Sequence, residues 1–196
     1  MKVSFAKFIS TILNPLVVMF FAPFFLIYRT THDFDTALYW AFVTLIFLMV
    51  MGLFVIAGVK KKIFTDLDIS RREQRPLMFL MAILFVSVYI LTVFALHGPY
   101  ILYVLGIGII LGVSVVSVIN RRVKASIHVA TLTALVLPVA VSFGHYYILL
   151  LLLVPLVAWS RLVTKRHSLR EIFVGGTVGG LISLSIYLTV RFFLHR

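Results

Sequence analysis

The chain has 196 residues, 62% of them hydrophobic and 12% charged, with a formal net charge of +12 and a mean hydropathy of +1.14. That is too apolar for a soluble globular domain of ordinary composition. The absence of cysteine excludes disulfides and thiolate metal sites, and basic residues beside apolar runs point to lipid headgroups and phosphates as partners rather than nucleic acid.

Charges cluster in short stretches between uncharged runs of roughly 20 residues, the length at which a helix crosses a bilayer with its own backbone satisfied. Seven such segments are predicted. The first runs from about Phe8 to Tyr28 and carries Pro15 and Pro23 as kinks; it is longer than a signal-peptide core and no small-residue cleavage site follows it. The second, about Thr36 to Gly58, leads into the longest polar stretch, Lys60 to Arg75, which Pro76 ends. The third, about Leu77 to Leu96, turns at His97-Gly98-Pro99. The fourth, about Tyr100 to Ile119, is followed by Asn120-Arg121-Arg122-Val123-Lys124. The fifth and sixth, about Ser126 to Phe143 and Tyr146 to Val163, turn at Gly144-His145 and are short enough to be tilted or only partly spanning. A basic loop, Lys165 to Arg170, precedes the seventh, about Glu171 to Val190. The expected fold is all-α: a polytopic membrane helix bundle forming one transmembrane domain over residues 1–196, with seven hydrophobic segments, or six spanning as the alternative.

If all seven span, the N-terminus and the loops after segments two, four and six share one face. Every Lys and Arg lies on it except Arg29, Arg191 and Arg196. The positive-inside rule then puts that face in the cytoplasm, although a phosphate site would load it with cations for another reason. Gly108/Gly112, Gly175/Gly179 and Gly176/Gly180 have the small-xxx-small spacing that lets helices approach closely.

Three polar clusters fall in or beside the loops of this face: Asp66 to Pro76, Lys124 to His128, and Ser160-Arg161-x5-His167-x3-Glu171. His167 and Glu171, four apart, project from one side of a helix. A carboxylate accepting from one imidazole nitrogen fixes the tautomer and leaves the other lone pair to act as a nucleophile. Arg161 offers a planar fork of donors for phosphoryl oxygens, and the start of segment seven presents backbone N–H groups to an anion. His128, at the entrance of segment five, is suited to protonating a leaving oxygen. Ser126 and Lys124 add a donor and a positive charge, and Arg75 a second fork, so that several cations surround one phosphate in the transition state. His32, His97, His145 and His195 read as interfacial polar residues without a chemical role.

Ser160-Arg161-x5-His167-x3-Glu171 resembles the third signature, S-R-x5-H-x3-D, of the type 2 phosphatidic acid phosphatase superfamily, whose site is shared by vanadium haloperoxidases. Ser126-Ile127-His128 resembles the S-G-H of the second signature, P-S-G-H, and Arg75-Pro76 the end of the first, K-x6-R-P. The resemblance implies a membrane lipid phosphatase acting on a phosphomonoester or a polyprenyl diphosphate through a phosphohistidine. His167 would be the nucleophile, Glu171 its orienting carboxylate and His128 the acid, with Arg75, Ser126 and Arg161 holding the phosphate. It implies no cofactor and no metal. The chain departs from the pattern at Asp68, where the signature has lysine, at Ala125 and Ile127, and in having Glu171 for aspartate. Lys124 or Arg71 is the candidate replacement for the missing cation.

Alternatives remain at this level. A phosphotransferase would use the same site with an alcohol in place of water. A UbiA-type prenyltransferase is suggested by Asp66 and Asp68, but a second aspartate-rich motif is missing. A transporter or a non-catalytic relative is the third, against which stands the position of the polar groups at segment ends rather than mid-membrane. Which lipid is the substrate, and the oligomeric state, have no sequence signal.

Overall fold

The computed structural model describes residues 1–194; His195 and Arg196, assigned above to the interface and to the less basic face, lie outside the described residues. Among the described residues there is no strand. The helices are α1 (Lys2–Ile12), α2 (Pro15–Thr31), α3 (Phe34–Lys60), α4 (Arg75–Ala95), α5 (Tyr100–Asn120), α6 (Ile127–Ser142), α7 (Leu153–Val163) and α8 (Leu169–Leu194), with 3₁₀ segments at Arg72–Gln74 and His145–Leu152. Five stretches are long and apolar enough to cross a membrane, Phe34–Lys60, Arg72–Ala95, Tyr100–Asn120, His145–Val163 and Leu169–Phe192, or six if α1 and α2 make one broken span. The protein is an all-α membrane-type bundle.

Three segments depart from the simple seven-helix expectation. The first is two helices, broken at Leu13 and Asn14. Pro15 starts α2 instead of kinking a continuous helix, because it disfavours helical geometry at Asn14 and cannot donate, whereas Pro23 sits inside α2. The fifth, α6, has 16 residues, about 24 Å at 1.5 Å per residue, short of a hydrocarbon core of about 30 Å. The sixth begins as 3₁₀ over His145–Leu152, after Gly144 takes a φ of 101° open to glycine.

Helix ends are set by local chemistry. Asp33 caps α3, its carboxylate accepting from the Thr36 amide at 3.1 Å and the Thr36 hydroxyl at 2.6 Å. The Thr36 hydroxyl first and its amide second hold the Asp33 carboxyl below its usual range. Three helices end in Schellman motifs whose left-handed residue is not glycine: Lys62 after α3 (φ 60°), His97 after α4 (φ 53°) and Lys165 after α7 (φ 55°). At the His97-Gly98-Pro99 turn it is therefore His97 that adopts the left-handed conformation. Gly98 serves a different need, since a Cβ there would stand 2.5 Å from the Trp40 ring.

The chain divides into two compact units, Leu16–Val118 and Met1–Pro15 with Ile119 onward. In the central unit the core is Ile27, Ala37, Trp40, Tyr89, Val93 and Leu102. The Thr44 hydroxyl bonds the Trp40 carbonyl at 2.8 Å and the Tyr89 hydroxyl at 2.9 Å inside it. In the terminal unit α1 packs on α7, and α6 packs on α8. Gly175 and Gly179 carry the α6–α8 contact: a Cβ at Gly175 would lie 2.6 Å from the Ser126 carbonyl oxygen, and Gly179 meets the Ala130 carbonyl. Gly176 and Gly180 have ordinary spacing to α6 side chains, and Gly112 faces open space, so the Gly108/Gly112 pair marks no close approach at Gly112.

Candidate functional site

The loop between α7 and α8 is five residues of consecutive backbone capture. Arg161 lies in the last turn of α7. Its carbonyl accepts from the Arg166 amide at 3.1 Å and again from the His167 amide at 3.3 Å, while the Lys165 amide bonds the Leu162 carbonyl at 2.9 Å. The turn thus ties the backbone of His167 to that of Arg161. α8 then opens with a capping box, Ser168-Leu169-Arg170-Glu171: the Ser168 amide donates to Glu171 Oε2 at 3.1 Å and the Glu171 amide to Ser168 Oγ at 3.4 Å.

The same Glu171 Oε2 receives His167 Nδ1 at 2.9 Å. The His167 side chain is 2% exposed and that of Glu171 24%. A carboxylate at Nδ1 favours the tautomer with its proton there, and in that neutral imidazole Nε2 carries the lone pair. The carboxylate therefore has two tasks, closing the N-terminus of α8 and fixing the imidazole.

The second cluster meets the third through the main chain. The Ser126 amide donates to the Glu171 carbonyl at 3.1 Å, and Lys124 Nζ donates to the Arg166 carbonyl at 3.1 Å. Ser126 is the N-cap residue of α6, yet its hydroxyl makes no capping bond. It is fully buried, and its Oγ has no hydrogen-bond partner. Such an atom carries a desolvation penalty of about 1–3 kcal/mol that a bound donor or acceptor would offset. His128 follows in the first turn of α6 and is buried. The two histidines assigned chemistry, His128 and His167, are buried, whereas His32, His97 and His145 are exposed.

Arg161 is 3% exposed, and its Nη1 donates to Ser10 Oγ of α1 at 2.6 Å. Ser10 carries no sequence signal, being one of two serines in α1 and part of no motif. The capping box is visible in the sequence as Ser-x-x-Glu before an apolar run, superimposed on the His167–Glu171 spacing.

His128, His167, Glu171, Arg161, Ser126 and Lys124 all belong to the terminal unit, where these hydrogen bonds link Ser126, Lys124, Arg161, His167 and Glu171, and His128 lies two residues after Ser126 at the start of α6. Arg75 and Arg71 belong to the central unit. There Arg75 is 2% exposed and its Nε donates to the Ile69 carbonyl at 3.2 Å; Arg71 is exposed. In the same loop Asp66 Oδ1 accepts from the Asp68 amide at 2.9 Å and the Ser70 hydroxyl at 3.0 Å, so its carboxylate folds the loop. Among the described residues no three of His, Asp and Glu gather as a metal site.

The chain matches no family model, no curated protein and no solved structure.

Proposed function

We propose that the chain is a membrane lipid phosphatase that hydrolyses a lipid phosphomonoester or diphosphate through a phosphohistidine. The observation that carries the reading is the buried His167 with its Nδ1 fixed on the Glu171 carboxylate at 2.9 Å. That pairing orients a neutral imidazole nucleophile and stabilises the positive charge it gains on attack. His167 Nε2 attacks phosphorus, the P–O bond to the lipid breaks, and His128 gives its proton to the leaving oxygen. Water then attacks the phosphohistidine, His128 takes the water's proton, and the N–P bond breaks to release phosphate. Arg161, Lys124 and the Ser126 hydroxyl bind the equatorial oxygens, where charge concentrates in the transition state.

By the positive-inside rule, the basic loops at this end of the terminal unit favour a cytoplasmic location for it. The similarity of the three motifs to the type 2 phosphatidic acid phosphatase signatures supports the same chemistry. The test is phosphate release by the purified protein from a panel of phosphatidic acid, phosphatidylglycerophosphate, isoprenyl diphosphates and lipid A phosphates, with His167→Ala beside it. Turnover of one class, abolished by the substitution, is the expected result. No turnover of any lipid, or a variant equal to wild type, refutes the proposal.

A further inference from the structure

The guanidinium of Arg161 is held from an element that no motif includes. Ser10 lies 151 positions away in sequence, on α1, and accepts from Arg161 Nη1 at 2.6 Å. Both residues are buried, at 9% and 3% exposed. Ala6, one turn before Ser10, is fully buried, so the two mark the stripe of α1 that packs on α7. Phe5 adds a ring contact to Trp159 at 6.0 Å between centroids. Other serines in the apolar helices behave differently: Ser87 and Ser185 donate to the carbonyl four residues back, the ordinary local use of a hydroxyl there.

The chemistry of this contact is specific. A hydroxyl oxygen fixes the direction of one N–H of the guanidinium but is neutral, so this bond leaves the cation's charge intact. A carboxylate in the same place would hold the arginine equally well and cancel the charge a phosphoryl group needs. Pre-orientation of a fork without neutralisation is what electrostatic stabilisation of a phosphoryl transition state requires.

We propose that Ser10 is a positioning residue for the phosphate site: its hydroxyl fixes the Arg161 guanidinium, so that α1 takes part in phosphate recognition through Arg161. The inference rests on the reading of Arg161 as a phosphate ligand.

The experiment uses the full chain in detergent and three variants, Ser10→Ala, Ser10→Thr and Ser10→Val. The Thr and Val variants have matched volume and branching and differ only in the hydroxyl, so they keep the test valid if the alanine variant folds poorly. Two quantities are read: kcat and KM on whichever lipid phosphate the wild type hydrolyses, and the concentration of orthovanadate or inorganic phosphate needed to raise the midpoint of thermal unfolding. Loss of one hydrogen bond to a charged group predicts about a ten- to hundredfold fall in kcat/KM for Ser10→Ala and Ser10→Val, with a comparable weakening for the oxyanion. Ser10→Thr is expected within about threefold of wild type, because it keeps the acceptor.

A merely structural role would lower the unfolding midpoint of Ser10→Val below that of Ser10→Thr while leaving oxyanion affinity and kcat/KM equal in the two. That result overturns the inference and leaves the phosphatase reading intact. If no lipid is hydrolysed but oxyanion stabilisation is present and depends on the hydroxyl, the positioning role stands and the phosphatase reading falls. If neither lipid turnover nor oxyanion stabilisation is found in the wild type, both fall.

Discussion

Gly175→Ala tests the packing on which the site depends. The new Cβ would meet the Ser126 carbonyl oxygen at 2.6 Å, the amide nitrogen at 3.1 Å and the carbonyl carbon at 3.3 Å. All three are backbone atoms, so no flexible side chain can yield, and α6 and α8 must separate. Overpacking of this kind costs about 1–3 kcal/mol. Separation also lengthens the bond from the Ser126 amide to the Glu171 carbonyl, now 3.1 Å, worth about 0.5–1.5 kcal/mol. Together they give roughly 2–4 kcal/mol, on the order of 5–15 °C in unfolding midpoint for a chain of this length.

The control is Gly176→Ala, one residue on, whose Cβ would sit 3.5 Å from Val129 Cγ1 in ordinary contact. Thermal unfolding of both variants in one detergent measures the difference, and phosphate release measures its consequence. A shift of about 1 Å between Ser126 and His167 is expected to cost about a hundredfold in turnover. Equal midpoints for the two variants would refute the argument, because of these two glycines only Gly175 abuts backbone.

Substitutions at two further positions separate scaffold from chemistry. Both hydrogen bonds to Glu171, from the Ser168 amide and from His167 Nδ1, land on Oε2, and one amide oxygen can accept both; Glu171→Gln is therefore expected to unfold within about 1 kcal/mol of wild type yet lose roughly 10²–10⁴-fold in kcat, and undiminished phosphate release would remove the charge from the mechanism. Lys165 holds φ at 55° on an exposed turn, so Lys165→Gly is expected to stabilise by up to about 1 kcal/mol and Lys165→Val to destabilise, as read by unfolding midpoint.

The spans were legible because charge and proline bound them. α3 extends the predicted Thr36–Gly58 by two residues at each end, and α5 matches Tyr100–Ile119 to within one. The 3₁₀ start at His145–Leu152 was not legible, since its residues are as apolar as those of any helix here and hydropathy does not report the hydrogen-bond register. The break at Leu13 and Asn14 has a local signal in Asn14-Pro15, but hydropathy on either side is continuous and no charge marks it. The left-handed ends at Lys62, His97 and Lys165 were hidden because the residue expected there is glycine. For the site, helical spacing sufficed to pair His167 with Glu171. It could not reveal Ser10, whose partner is far away in sequence, or the joining of the second and third clusters, which runs through backbone atoms that every residue possesses.

Those backbone atoms also hold the site in shape. Three carbonyls of the α7–α8 connection, those of Arg161, Arg166 and Glu171, accept from the His167 amide, Lys124 Nζ and the Ser126 amide. Main-chain bonds thus fix Arg161 to His167 and the N-terminus of α6 to that of α8, and Gly175 permits the approach. Glu171 fits the same logic. Where the resembling signature has aspartate, the longer side chain reaches back to the Ser168 amide, the usual task of glutamate at the third position of a helix, and still meets His167 on the same oxygen. The added methylene is thus accounted for by the capping box. In the proposed mechanism Lys124 answers in part for Asp68, which stands where that signature has lysine. Its ammonium group bonds the carbonyl of Arg166, the peptide immediately before His167, and so brings a positive charge to the loop that carries the proposed nucleophile from a different position in the sequence.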